Sequence, residues 1–364
     1  MTIKRDGAFG LAAGGRRIVS SVRMKVKAMS TAAISRESAA IHRLHNAPHT
    51  LHNPGIPLDL EAVAGVRVNL SAVERRAATL PKRRTVKKEW QAAWLVKALQ
   101  CIDLTTLNSD DTEGRVRRLC AKAVHPLRPD IQEALGLADR RITTGAVCVY
   151  HRFVATAIEA LRGSDIPVAA VSTAFPAGFS PMKTRLEEIE ASLADGATEI
   201  DVVITREHVL TGNWQALYDE VKAFKAACGT AHMKTILGTG DLKTLRNVGR
   251  ASWVAMMAGS DFIKTSTGKE GVNATLPVAL TMVRAIRAYR EMTGYVVGFK
   301  PAGGISTARD AMAFQFVMME ELGREWLQPA LFRIGASSLL ADIERQLEYF
   351  VTGRYASFDH HAMA

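Results

Sequence analysis

From residue 100 onward, short apolar runs alternate with longer segments of helical period. The runs are QCIDL (100–104), AVCVY (146–150), PVAAVS (167–172), EIDVV (199–203), HMKTIL (232–237), DFIKT (261–265), YVVGFK (295–300) and LFRIG (331–335). Each is short and bounded, as expected of strands buried on both faces of a parallel sheet. Between them lie segments such as MKTRLEEIEASLADG, WQALYDEVKAFKAACG and LPVALTMVRAIRAYREM. Several of these stop at a glycine, which ends a helix without steric cost. Eight such strand–helix units in succession predict an α/β protein of the TIM (β/α)8 barrel type. A doubly wound open sheet is the alternative, but no GxGxxG turn follows the first strand.

Upstream, residues 69–98 predict two helices, the first capped by Asn69 or Ser71 and stopped at Pro81. The second places Trp90, Trp94 and Leu95 on one face, suited to packing on the barrel. Residues 1–65 predict a flexible basic extension, and 66–364 a barrel domain that includes these helices. An organelle-targeting peptide, or a true start at Met24 or Met29, competes with the flexible tail. Histidines 42, 45, 49 and 52 recur at helical spacing, but Pro48 interrupts them and metal binding is not expected.

The net charge of +11 changes this picture less than it first suggests. Residues 1–89 hold 17 Lys/Arg against 6 Asp/Glu, whereas the rest of the chain holds 30 of each. A balanced body argues for a small-molecule enzyme and against a nucleic-acid binder. The apolar runs are all too short to span a bilayer, so no membrane partner is expected. Cys101, Cys120, Cys148 and Cys228 are scattered, without CxxC spacing, which points to reduced thiols and a cytoplasmic location. A homodimer is the default expectation for assembly.

The informative departure is charge inside the strands. Asp103, Asp201, Lys234, Lys264 and Lys300 all fall within runs that a parallel sheet would bury. Unpaired burial costs several kcal/mol per ion, so so many charges imply a functional return. Phe262 and Lys264 share one strand face, and Val296, Gly298 and Lys300 share another. Gly298 is expected to leave room beneath Lys300. Late strand positions lie at the C-terminal mouth, where barrels keep their chemistry.

A free lysine, with a pKa of ~10.4, is neutral only about once in a thousand near pH 7.4. A neighbouring ammonium and partial desolvation lower that pKa by ~3 units or more, freeing the amine to attack a carbonyl. A carboxylate nearby can then move protons. Two lysines and an aspartate therefore suit imine chemistry, with no metal or cofactor. The turns PAGG (301–304) and GASSLL (335–340) follow the seventh and eighth runs, where barrels commonly bind phosphate.

FIKTSTGKE (262–270) with VNAT (272–275), VGFKPAGG (297–304), GATEIDVVI (196–204), CIDLTTLN (101–108) and FRIGASSLL (332–340) together resemble the deoxyribose-phosphate aldolase family. The resemblance spans about residues 85–355 and is nearer the longer, eukaryote-like branch. It implies reversible cleavage of 2-deoxy-D-ribose 5-phosphate to acetaldehyde and D-glyceraldehyde 3-phosphate. It matches Lys264 to the Schiff-base lysine, Lys300 to the lysine that perturbs it and Asp201 to the proton-relay carboxylate. Asp103, Lys234 and Cys148 match residues near the substrate. Gly303, Gly304, Ser337 and Ser338 match phosphate-contacting turns, with Lys269 close by. Ser306 stands where relatives carry Arg, with Arg309 as the candidate compensation. His151 stands in place of Pro, Gly238 and Asp241 replace bulkier or longer residues, and Tyr355 is the candidate for a C-terminal tyrosine that reaches the site.

Overall fold

The structure, a computed structural model, describes residues 52–82, 86–357 and 360–361. The expected tail through residue 51, with its first three histidines, lies outside the described residues. Residues 52–65, placed with the flexible extension by the sequence reading, pack onto the body instead. The Asn53 amide donates to the Asp261 carboxylate at 2.8 Å, and its side chain donates to the carbonyls of Met256 and Ser260. Such pairing satisfies a buried polar side chain that would otherwise oppose burial.

Among the described residues, three α-helices precede the first strand: α1 (Leu60–Gly65), α2 (Leu70–Thr79) and α3 (Lys88–Gln100). Asn69 caps α2, its side chain accepting from the amide of Ala72. In α3 the expected single face gives way to burial almost all round: Ala92 through Val96, Ala98 and Leu99 are buried, whereas Trp90 is 39% exposed.

The barrel strands are β1 (Ile102–Thr105), β2 (Ala146–Tyr150), β3 (Val168–Ser172), β4 (Glu199–Val203), β5 (His232–Ile236), β6 (Phe262–Lys264), β7 (Gly298–Lys300) and β8 (Ile334–Ala336). All pair in parallel, in the order β7-β6-β5-β4-β3-β2-β1-β8. Phe299 pairs with Phe332 and Ala302 with Gly335, joining β7 to β8 and closing the ring.

The helices after the strands are α4 (Glu113–Val124), α5 (Pro129–Ala134), α6 (Val154–Ala160), α7 (Met182–Ala194), α8 (Arg206–Leu210), α9 (Trp214–Cys228), α10 (Leu245–Met257), α11 (Leu276–Thr293), α12 (Ala308–Glu321) and α13 (Leu339–Thr352). The α3 helix packs against α12 and α13, with the Trp94 ring 5.2 Å from Phe316. Outward strand residues such as Ile102, Val147, Ile200, Met233 and Ile263 belong to the large apolar core beneath the helices. The inward residues form the second, charged interior.

Candidate active site

Alternation along the strands aims Glu199 and Asp201 of β4 inward, with Lys234 of β5, Lys264 of β6 and Lys300 of β7. The register sets Asp201 beside Lys234, and Lys264 beside Lys300. Lys264 Nζ donates to Asp201 Oδ2 at 2.8 Å, and Lys300 Nζ donates to the same oxygen at 2.7 Å. Lys300 Nζ also lies 2.6 Å from Asp103 Oδ2. Lys234 bridges Glu199 and Asp201, reaching Asp201 Oδ1 at 3.1 Å. Deeper still, Arg333 binds Asp103 at 2.6 Å and Glu199 at 2.8 Å. All seven side chains are buried.

Four basic groups thus face three carboxylates in the buried interior of the barrel. The set is electrically balanced when one lysine is neutral. Burial and the Lys300 ammonium outweigh Asp201 and pull the Lys264 amine below its ordinary value. Burial also opposes the charge on Lys300, yet Asp103 and Asp201 outweigh it and hold that amine well above its usual range. Lys234 is raised in the same way, burial being overcome by Asp201 and Glu199. Burial works against ionised Asp201, but the three lysines prevail and keep its carboxyl far below the usual range. Lys264 is therefore the group the surroundings favour as a free amine.

Lys264 forms the floor of a cavity of about 260 Å³ at the C-terminal mouth. Thr105, Thr267, Gly268, Lys269, Gly303, Gly304, Ser306, Ser337 and Ser338 line its walls. Gly303 and Gly304 both have φ near +80°, a turn that side chains resist, and a Cβ on Gly303 would lie 2.7 Å from Asn273. Ser338, which lines the cavity, occupies the N-cap position of α13 and makes no side-chain capping bond there. Cys148 sits buried in a small inner apolar cluster with Leu107, Ala169 and Val171, and burial raises its thiol pKa.

A profile of the DeoC/LacD family of aldolases matches residues 97–344. The chain is 60% identical over 306 residues to the deoxyribose-phosphate aldolases of Bos taurus and Homo sapiens, covering 84% of itself and 96% of each. Identity to the Mus musculus enzyme is 62% at the same coverage. The chain belongs to the DeoC/LacD aldolase family. Its enzyme class is accordingly that of a carbon–carbon lyase. A tetrameric deoxyribose phosphate aldolase from Aeropyrum pernix, 22% identical, shares the fold with a TM-score of 0.54, covering 76% of this chain and 99% of that one.

Within this DeoC/LacD barrel several sequence expectations change. The volume beside Gly298 is filled, because a Cβ there would lie 2.3 Å from the Phe262 ring. Glycine is needed for that ring to pack against β7, rather than for space under Lys300. Arg309 donates to the Pro81 carbonyl and is not among the cavity's lining residues, so it does not replace the charge missing at Ser306. Tyr355 follows the C-terminus of α13 and folds back onto the outside of that helix, where it is exposed, stacks on Tyr349 and donates to Gln346. It does not reach the site. His151 points outward and pairs with Glu188 at 3.3 Å.

Sequence reasoning missed Glu199 and Arg333. The signal was present: Glu199 stands two residues before Asp201, and Arg333 two before Gly335, where the noted GASSLL turn begins, so alternation turns both inward.

Proposed function

We propose that this protein reversibly cleaves 2-deoxy-D-ribose 5-phosphate to acetaldehyde and D-glyceraldehyde 3-phosphate through a Schiff base on Lys264. The observation that carries this reading is the shared Asp201 oxygen between Lys264 and Lys300 at the floor of a mouth cavity. The 60% identity to deoxyribose-phosphate aldolases supports the substrate.

The neutral Lys264 amine adds to the C1 aldehyde of the open-chain sugar, and the carbinolamine loses water to give a protonated imine. A base then takes the C3 hydroxyl proton. The C2–C3 bond breaks, its electron pair flowing into the iminium to give an enamine. Glyceraldehyde 3-phosphate leaves as C3 becomes a carbonyl. Protonation of C2 and hydrolysis of the imine release acetaldehyde and restore the amine. Asp201, in contact with Lys264, Lys300 and Lys234, is the group placed to pass these protons, directly or through water. Lys300 stays charged and keeps Lys264 neutral. No step draws on a cofactor.

Lys269, the Gly303–Gly304 turn and the Ser337–Ser338 helix start would hold the phosphate at the opposite wall. A DeoC/LacD aldolase with a larger donor is the second reading, since the matched family is broader than one substrate. A homodimer and a cytoplasmic location complete the proposal; four buried free thiols among the described residues support the latter.

Borohydride trapping with deoxyribose 5-phosphate or acetaldehyde, followed by peptide mapping, tests the reading. An adduct on Lys264 is expected. No adduct from folded protein and substrate would overturn the Schiff-base chemistry, and an adduct formed only with ketone donors would favour the second reading.

A further inference from the structure

Around the mouth, one side chain outside the charged core connects four consecutive loops. Arg206, at the start of α8 after β4, has a side chain only 12% exposed. Its guanidinium donates to the carbonyls of Pro176 and Ala177 in the loop after β3. It lies 3.0 Å from Asp241 Oδ2 in the loop after β5, and donates to Glu270 Oε1 at 3.1 Å in the loop after β6.

Glu270 is the inner anchor of that last loop. Its carboxylate, 3% exposed, accepts from the Thr267 amide at 3.0 Å, the Thr267 hydroxyl at 2.7 Å and the Gly268 amide at 3.1 Å. The Glu270 carbonyl in turn accepts from Asn273, which sits against Gly303. Thr267, Gly268 and Lys269 all line the cavity.

The loop after β5 is shaped to let this happen. A Cβ on Gly238 would lie 2.1 Å from Arg206 Nε, and one on Gly240 would lie 2.0 Å from the Val272 carbonyl. A larger residue at 238 would occupy the path by which Arg206 reaches Glu270. Gly238 and Asp241, which stood out in the sequence, are thereby joined: one clears the path and the other supplies a counter-charge.

We propose that Arg206 is a positioning residue for the phosphate half of the site, clamping Glu270 so that the 267–269 segment presents Lys269 and the Gly268 region to the cavity. It acts through Glu270 and touches no reacting atom. In this chain, where Ser306 supplies no charge, the clamp matters more because, among the described residues, Lys269 is the one cationic side chain lining the cavity besides Lys264. The proposal rests on the reading of this cavity as a sugar-phosphate site.

The test compares deoxyribose 5-phosphate with unphosphorylated deoxyribose in the wild type, Arg206→Met, Arg206→Lys and Glu270→Gln, with borohydride trapping of acetaldehyde on each. Arg206→Met is expected to raise KM for the phosphate ester about tenfold, the loss of one good contact's worth of binding, while kcat moves by less than about threefold. The preference for the phosphorylated sugar should fall by the same factor, and Arg206→Lys should recover part of it. Glu270→Gln, which keeps the shape of the anchor, should show the same KM pattern and carries the test if Arg206→Met does not fold. An equal loss with both sugars, or an unchanged KM in variants that still trap acetaldehyde, overturns the clamp. Failure of the wild type itself to trap acetaldehyde would instead strike at the aldolase reading.

Discussion

The amines of Lys264 and Lys300 meet on one oxygen, Asp201 Oδ2, at 2.8 and 2.7 Å. Because the two lysines are register partners on adjacent strands, this proximity is built into the backbone pairing rather than into side-chain flexibility. Lys300 has a second counter-ion in Asp103, whereas among the described residues Lys264 has only Asp201 as a hydrogen-bonded partner. The lysine with fewer anions is the one whose amine is pulled below its ordinary value, while the other is held above it.

Lys264→Ala should abolish both turnover and the borohydride adduct, with little effect on folding, since it removes the unbalanced member of the charged set. Mass mapping of the trapped protein checks this; an adduct elsewhere with full turnover would refute the assignment.

Lys300→Leu should move the acid limb of the pH–rate profile upward. The sign follows from charge: Lys300 lowers the pKa of Lys264, so its removal raises that pKa, and a higher pH is needed to free the amine. Turnover near neutrality should fall by at least about tenfold for each unit of that shift. An unmoved profile would show that Lys300 does not tune Lys264.

Arg333→Met should destabilise the fold by about 3–5 kcal/mol, the cost of leaving buried carboxylates without their partner. Asp103 and Glu199 are both held below their ordinary carboxylate range, with burial opposing and Arg333 foremost among the groups that lower them. A depressed carboxylate contributes stability that is present above its unfolded pKa of about 4 and is lost as pH falls below it. Thermal melts between pH 7 and pH 3 should therefore show a steep acid loss in the wild type and a shallower one in the variant.

Gly298→Ala should cost about 1–3 kcal/mol by overpacking, because the added methyl overlaps the Phe262 ring. Phe262 shares a strand face with Lys264, so activity should fall along with stability. A Phe262→Leu second substitution should recover part of both; independent, additive losses would show that the two residues do not couple.

Ser306→Arg should lower KM for the phosphate ester, and more so at low ionic strength, since it adds a cation to a wall of the cavity. Kinetics at two salt concentrations check this. An unchanged KM at both would mean that the added side chain does not face the phosphate.

The chain pattern alone determined a great deal. Short apolar runs alternating with helical segments specified the eight-fold barrel, because a strand buried on both faces carries its hydrophobicity in every residue. The same rule made Asp103, Asp201, Lys234, Lys264 and Lys300 conspicuous, since a charge within such a run is expensive and local to read. The tertiary structure decided which charges face one another. Arg333 meets Asp103 and Glu199 only because β8 closes beside β1 and across the interior from β4. Arg206 meets Glu270, 64 residues away, only because their loops share a rim. Phe262 fills the space over Gly298, Arg309 turns to Pro81, and Tyr355 folds back onto the outside of α13. Alternation along a strand is a one-dimensional property and is written in the sequence. The partner of a buried charge is set by ring closure and loop convergence, which bring together residues that no local pattern connects.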